Sequence, residues 1–166
     1  MSTYYTKGII LRKTDRGEAD QLFSIYTEER GKIVALGRAT KKIQSKLNSS
    51  LQPFATLQLM LAHGKFYDHI AGVEIVSHYS GVIQDLKKIV LTSHSFELVD
   101  HMTKLDNGDR RIYRLLEAYM QAINENDFSD NEWQLVKQAF VIKLLTLLGF
   151  APPAQVAESE EKLEHF

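Results

Sequence analysis

Residues 20–38 read DQLFSIYTEERGKIVALGR, and the architecture of the first half of the chain follows from this stretch. Residues 20–27 and 32–38 are short apolar runs bounded by turn residues, which is typical of β-strands. The sequence EERG at 28–31 is a tight turn, with glycine at the position that tolerates a positive φ. The stretch therefore predicts a β-hairpin made of the second and third strands.

Three further strands flank this hairpin. Residues 4–13 alternate in pattern and precede the turn sequence DRGE at 15–18, so they predict the first strand. Residues 66–77 are rich in β-branched side chains and predict the fifth. The fourth strand follows Pro53, and four residues make one of its faces apolar: Ala55, Leu57, Leu59 and Leu61.

This layout favours an OB-fold barrel. Five strands in about 75 residues, with a longer insertion at 39–52 between the third and fourth, match that fold. The insertion leaves room for a short helix. An SH3-like barrel also has about five strands, so periodicity alone does not separate the two.

From Val82 onward the apolar period becomes helical. Asp109, after an Asn-Gly break, predicts the start of a second helix, and a capping box of Ser129 with Glu132 predicts the start of a third. Phe128 and Trp133 occupy the positions of a hydrophobic staple. Gly149 and the Pro-Pro pair at 152–153 end that helix. The stripes expected to be core are Ile83, Leu86, Val90, Leu98, His101, Met102 and Leu105; Ile112, Leu115, Leu116, Tyr119 and Ile123; and Trp133, Val136, Phe140, Leu144 and Leu147.

The expected fold class is therefore α+β. We expect an OB-fold barrel at 1–79, a helical domain at 80–153 and an acidic, poorly ordered tail at 154–166. No apolar run is long enough to span a membrane, and the first residues lack the pattern of a signal peptide. The chain has no cysteine, which excludes disulfides and cysteine-ligated zinc and suits a reducing cytosol.

Charge is distributed unevenly. Residues 1–80 hold 11 Lys and Arg against 7 Asp and Glu, whereas residues 81–166 hold 9 against 14. Between Glu29 and Asp68 there is no acidic residue. The bases of that stretch are Arg30, Lys32, Arg38, Lys41, Lys42, Lys46 and Lys65. Such a stretch indicates binding of a polyanion; the alternative is a basic loop that is merely solvated.

The sequence offers little for catalysis. No phosphate-binding glycine motif is present, and His63, His69 and His78 have no carboxylate partner at metal-ligand spacing. Glu18 and Asp20 share a face and form a candidate acid/base pair, but capping of turns or pairing with basic neighbours explains them as well. We therefore expect no enzyme activity, no cofactor and no metal.

A barrel with a basic face and aromatic residues is a common architecture for binding single-stranded nucleic acid, because the cations bind phosphates and the rings stack on bases. Lys32 and Arg38 are six residues apart and share one face of the third strand. Tyr26 and Phe54 are candidate stacking residues, with core positions as the alternative.

The order of several motifs resembles the RecO family of recombination mediators over nearly the whole chain. The motifs are GIIL at 8–11, GEAD at 17–20, YTEERGK at 26–32, LGR at 36–38, SK at 45–46, LQPF at 51–54 and GFAP at 149–152. The chain departs from the family pattern in lacking a four-cysteine zinc site, and relatives usually continue with further helices.

The resemblance implies an OB-fold followed by helices, and a non-catalytic cytoplasmic protein of DNA repair that acts at the nucleoid. It implies binding of single- and double-stranded DNA, annealing of complementary strands and loading of RecA onto strands coated with single-strand binding protein, with RecR as a partner. Carried over by position, the DNA contacts are Arg38, Lys41, Lys42 and Lys46, with Lys32 as a weaker one.

Arg110, Arg111 and Arg114 lie in the first turns of the second helix, where the helix dipole disfavours cations. Pairing with Asp106, Asp109 and Glu117 is one explanation. The other explanation is that these arginines form a basic edge beside an apolar groove that binds an acidic peptide. In the family that peptide would be the tail of single-strand binding protein.

Two other function classes stay open at this point. A protein-protein adaptor would use the basic loop to bind an acidic partner and would have negligible affinity for oligonucleotides. A small enzyme would use Glu18 and Asp20, and a strongly raised pKa in a closed pocket would indicate it.

Overall fold

The structure is a computed structural model, and it describes residues 2–41 and 46–150, except for the side chains of Lys46 and Asn48. The tail at 154–166, the end of the expected helical domain at 151–153, Lys42 and the side chain of Lys46 lie outside this description. The strands are β1 (Thr3–Arg16), β2 (Asp20–Thr27), β3 (Gly31–Gly37), β4 (Ala55–Ala62) and β5 (Asp68–His78). The helices are α1 (Lys46–Ser50), α2 (Ser80–Ile83), α3 (Leu86–Met102), α4 (Arg110–Glu125) and α5 (Asp130–Leu147).

The five strands close into a barrel in the order β1-β2-β3-β5-β4. The predicted hairpin is confirmed, because β2 and β3 pair from Gln21 with Gly37 to Thr27 with Gly31. Gly31 has a φ of 69°, which is why glycine ends the turn. β1 is long enough to pair with β2 through its second half and with β4 through its first. This order, with β3 parallel to β5, is that of an OB-fold rather than an SH3-like barrel.

The barrel interior is filled by alternate residues of the strands. The predicted apolar face of β4 is buried, since Leu57, Leu59 and Leu61 have no exposed surface. Phe23 and Ile25 of β2 pack into the same cluster. Alternation with a period of two therefore identified the inward face correctly.

The pairing between neighbouring strands of the barrel is shortest between β3 and β5. Only two residue pairs join these strands, Ala35 with Asp68 and Leu36 with His69. At the start of β3 the α3–α4 loop, and not β5, pairs with the strand. Leu105 forms a β-bridge with Lys32, and the Asp106 N–H donates to the Lys32 carbonyl at 2.8 Å. The helical part thus completes the edge of the barrel.

The starts of α4 and α5 are confirmed. The Asp109 carboxylate accepts from the backbone N–H of Arg111 at 2.9 Å, and the Ser129 N–H donates to Glu132 Oε2 at 2.7 Å. Phe128 and Trp133 meet edge to face, with ring centroids 4.9 Å apart. Within the described part of the chain, no helix is both long and apolar enough to cross a membrane.

The first predicted helix is wrong in two respects. The segment splits into α2 and α3 because Asp85 caps a new start, accepting from the N–H of Lys87 at 2.7 Å. Leu105 lies beyond α3 and is exposed, as are Ile83, Leu86 and Val90. Apolar residues occur on several faces of α3, so their spacing did not single out the buried face, which holds Thr92, Ser95, Phe96, Val99 and Asp100.

A second hydrophobic core joins the barrel to the helices. Ile9, Tyr26 and Phe54 from the barrel pack in one cluster with Tyr113 and Leu116 from α4. Tyr26 is fully buried, its hydroxyl donates to the Asp109 carbonyl at 3.1 Å, and burial raises its pKa to about 12. Because Phe54 is also buried, neither ring is available for stacking on bases, and the expectation that both are core residues is confirmed.

Candidate nucleic-acid interface

The basic stretch of the sequence is largely neutralised by acids from elsewhere in the fold. Arg30 pairs with Asp68 at 3.1 Å and with Asp106 at 2.5 Å. Lys41 Nζ lies 2.9 Å from Asp15, and Lys32 Nζ lies 3.7 Å from Asp100. Across residues 2–41 and 46–150, Arg38 and Lys65 have no carboxylate within ion-pair distance. Distance along the chain hid these partners, since Asp100 and Asp106 are about 70 residues away from the bases they contact.

Asp100 of α3 is the centre of a buried charge cluster on the outward face of the first three strands. Its carboxylate accepts from Ser24 Oγ at 2.5 Å and from Arg12 Nε at 2.8 Å, and the Lys32 ammonium also donates to its carbonyl. Burial opposes ionisation, but the bonds from Ser24 and Arg12 outweigh it, so the pKa of Asp100 lies below its ordinary value. Helix α3 therefore covers the part of the β2–β3 face that holds Lys32, whose side chain is only 13% exposed.

The exposed end of β3 is held by the β1–β2 turn. Asp20 Oδ1 accepts from the Ala39 N–H at 2.8 Å, and the Lys41 N–H donates to the Ala19 carbonyl at 3.0 Å. Asp20 thus shapes the segment after β3, and its neighbour Glu18 is exposed. Bonds from Gln21 and Lys41 hold the pKa of Asp15 below its usual range, so Asp15 is ionised and anchors the Lys41 ammonium.

The β4–β5 turn contacts the β1–β2 turn. The guanidinium carbon of Arg16 lies 5.0 Å from the centroid of the Tyr67 ring. Lys65, in the same turn, holds its ammonium 5.4 Å from the centroid of Phe66. The β1–β2 turn, the segment after β3 and the β4–β5 turn therefore form one surface, which we name the basic rim. Its cations are Arg16, Arg38, Lys41 and Lys65.

The rim brings together two of the DNA contacts expected from the sequence, Arg38 and Lys41. It separates them from Lys32, which lies under α3. The prediction that Lys32 and Arg38 share one face of the third strand is wrong for Arg38, because β3 ends at Gly37. Sequence reasoning missed Arg16 as a member of this surface, because nothing in the spacing shows that the two turns meet. It counted Lys65 in the basic stretch but did not include it among the expected DNA contacts.

The three arginines at the start of α4 do not line a groove together. Arg111 binds Asp109 through two bonds, at 3.0 and 2.8 Å, as the pairing explanation predicted. Arg110 instead pairs with Glu28 of the β2–β3 turn at 3.2 Å. Arg114 is exposed, and no ion pair forms on it within the described part of the chain.

An apolar groove does exist, between the starts of α3 and α5. Its volume is about 720 Å³, and both cations and acids stand at its edge. Lys87 pairs with Asp130 and holds its ammonium 5.6 Å from the Trp133 ring centroid. The lining residues are Asp85, Leu86, Lys87, Val90, Leu91, Asp130, Trp133, Gln134 and Lys137.

Comparison with known proteins identifies both halves of the chain. Residues 1–79 match the family model described as Recombination protein O N terminal, and residues 83–159 match Recombination protein O C terminal. DNA repair protein RecO of Gloeothece citriformis is 31% identical over 163 residues, which cover 98% of this chain and 57% of that protein. The protein of the same name from Cutibacterium acnes is 29% identical over 155 residues, covering 92% and 63%.

The chain thus spans about three fifths of the length of these curated relatives. The agreement nevertheless extends through the barrel and the helices, and the OB-fold order of the strands fits it. We conclude that this chain belongs to the RecO family.

Proposed function

We propose that this protein is a non-catalytic mediator of recombination in DNA repair that binds DNA through the basic rim. Family membership supports a role in repair, since the relatives are named DNA repair proteins. The observation that carries the proposal is the rim itself, in which turns distant in sequence place cations on one face of an OB-fold barrel. Such surfaces bind nucleic acid by neutralising phosphates.

Arg38 is the central contact in this proposal. It is exposed, and the segment that carries it is fixed by the Asp20 bond to Ala39, so little freedom is lost when a phosphate binds. Lys41 is next to it but shares its charge with Asp15, which makes it the weaker contact. Lys42 and Lys46 remain predicted contacts from their place in the basic segment.

The wider activity follows as part of the proposal. A protein that binds backbones without reading base edges can hold two strands close together, which favours annealing of complementary strands. We propose that it anneals strands and assists loading of RecA onto strands coated with single-strand binding protein, with RecR as partner. Its place of action would be the cytoplasm, at the nucleoid.

The groove between α3 and α5 is the better candidate for the tail of single-strand binding protein. An acidic, apolar peptide needs an apolar floor and a cation at its edge, and the groove offers Val90 and Leu91 beside Lys137, whereas Lys87 already pairs with Asp130. At the start of α4, two of the three arginines already have carboxylate partners. Arg114 is exposed, so the α4 surface remains the second candidate site for this peptide.

Salt-dependent binding of oligonucleotides tests the main proposal. Neutralising both Arg38 and Lys41 removes up to two phosphate contacts, and each lost contact should reduce the slope of log K against log salt by about 0.7 for a single strand. The control variant neutralises Lys104 and Lys143, which are exposed on the helical part. Equal loss in both variants would mean that DNA binding does not depend on the rim in particular. No binding by the unmodified protein at low salt would leave the adaptor function as the better explanation.

A further inference from the structure

We propose that Phe66, in the β4–β5 turn, is a stacking platform for an unpaired DNA base and makes the basic rim prefer single strands over duplex. The inference rests on the proposed function, because it assigns a substrate preference to the same surface. It concerns a residue that the sequence motifs did not single out.

Phe66 has the surroundings of a binding residue. Its side chain is 80% exposed, more than any other large apolar residue in the described part of the chain. A single exposed ring is common on protein surfaces and proves nothing alone. Here, however, Lys65 holds its ammonium 5.4 Å from the ring centroid, and the adjacent Tyr67 ring has Arg16 at 5.0 Å. Rings alternating with cations are what a single strand requires, since it presents bases and phosphates in turn.

The turn that carries Phe66 is built rigidly at its base. Asp68 accepts from the Tyr4 hydroxyl at 2.5 Å, pairs with Arg30 at 3.1 Å and lies 3.1 Å from His63 Nδ1. The His63 ring also stacks on Tyr4, with centroids 4.9 Å apart. A platform fixed in this way loses little conformational entropy when a base lands on it.

The turn also closes tightly, which leaves its tip no other packing. A Cβ on Gly64 would lie 2.2 Å from the Tyr67 carbonyl oxygen, so only glycine fits where the chain reverses. The exposure of Phe66 shows that its ring lies outside the barrel. The buried rings that the sequence offered for this purpose, Tyr26 and Phe54, are not available to a base.

Stacking on Phe66 distinguishes strands by geometry. In a duplex, each internal base already lies between two neighbours, so it meets the ring only after it leaves the helix, at a cost of a few kcal/mol. In a single strand that cost is small, while the phosphates on either side can still meet Arg16, Lys65 and Arg38. The cations alone would bind both forms of DNA.

The experiment measures equilibrium binding of a short oligothymidine, of a duplex of the same length and of an abasic oligonucleotide with the same number of phosphates. With Phe66→Ala, affinity for oligothymidine should fall about fivefold or more, the size of one lost base–ring stack. Affinities for the duplex and the abasic strand should change less than twofold. Phe66→Trp should keep the preference, and Phe66→Leu, which keeps the apolar bulk without the ring, should lose it.

Two comparisons make the result decisive. Tyr5→Ala removes another exposed ring of the barrel, 67% exposed, and should leave oligothymidine binding unchanged. If Phe66→Ala binds all three ligands like the unmodified protein while Arg38→Ala weakens all three, the stacking inference is overturned and the proposed function stands. If neither variant changes binding, the proposed function fails as well.

Discussion

Replacing Asp100 with asparagine removes one negative charge from a site that three barrel strands share. The charge matters because Asp100 is 4% exposed and Lys32, whose side chain is 13% exposed, has its ammonium 3.7 Å away. Loss of the counter-charge for the largely buried Lys32 ammonium should cost about 1–2 kcal/mol. The Ser24 bond to a carboxylate becomes a bond to an amide, which costs about 1 kcal/mol more. Arg12 is 61% exposed, so its share is below about 1 kcal/mol.

The expected loss in free energy of unfolding is therefore about 2–4 kcal/mol, a large part of the 5–15 kcal/mol that is typical of a domain. Urea unfolding followed by the fluorescence of Trp133, the single tryptophan, measures it. Glu97→Gln is the matched control, because Glu97 lies on the same helix, is 66% exposed and has His101 as its ion-pair partner at 3.8 Å. It should cost less than about 0.5 kcal/mol.

The same carboxylate gives a pH dependence with a definite sign. Because the pKa of Asp100 is lower in the folded chain than the ordinary value of an aspartate, its charge stabilises the fold above that ordinary value. The stabilisation is lost as pH falls from about 4 toward the lower folded value. The gap in stability between the unmodified protein and Asp100→Asn should therefore shrink in that range. A gap that is no larger than that of Glu97→Gln, or that does not change below pH 4, would refute the reasoning.

Of two further predictions, one concerns the close contact of the barrel with the α3–α4 loop, and the other concerns the groove between α3 and α5. Gly31→Ala should destabilise the fold by at least about 1 kcal/mol, because alanine is strained at a φ of 69° and its Cβ would lie 2.5 Å from the Asn107 carbonyl; Gly17→Ala, with a similar φ but open space around it, isolates the contribution of the contact in the same urea titration. Val90→Asp should weaken binding of a peptide from the tail of single-strand binding protein at least about tenfold in a fluorescence anisotropy titration, whereas Leu135→Asp, exposed on α5 outside the groove, should not. A greater loss with Arg114→Glu than with Val90→Asp would place the peptide at α4 instead.

Local patterns in the sequence were sufficient for the barrel and for the starts of α4 and α5. The period of two in β4 and the glycine of the hairpin depend on neighbours along the chain, as do the caps at Asp109 and Ser129. Such features can be predicted because the physics that fixes them acts within a few residues. The prediction of the first helix was wrong because apolar residues on several faces of α3 did not define which face is buried.

The candidate site was predictable only in part, because charge pairing is a property of the folded chain. The sequence offered Arg38 and Lys41 as DNA contacts, which stay predictions, but it gave no sign that Arg30 and Lys32 are paired with carboxylates. The acids that neutralise these two, Asp106 and Asp100, belong to the helical part and become neighbours only after the two parts pack together. For the same reason, no spacing rule could show that the turn with Arg16 touches the turn with Tyr67.

The narrow seam between β3 and β5 bears on how the chain acquires its shape. Two residue pairs hold that seam, and a segment encoded some 70 residues later supplies the remaining contacts of Lys32. The matched segments 1–79 and 83–159 are thus separate regions of sequence but interdependent partners in folding. We therefore expect a chain synthesised only as far as residue 79 to expose an unpaired edge of β3, to which another strand can pair until the helices have folded.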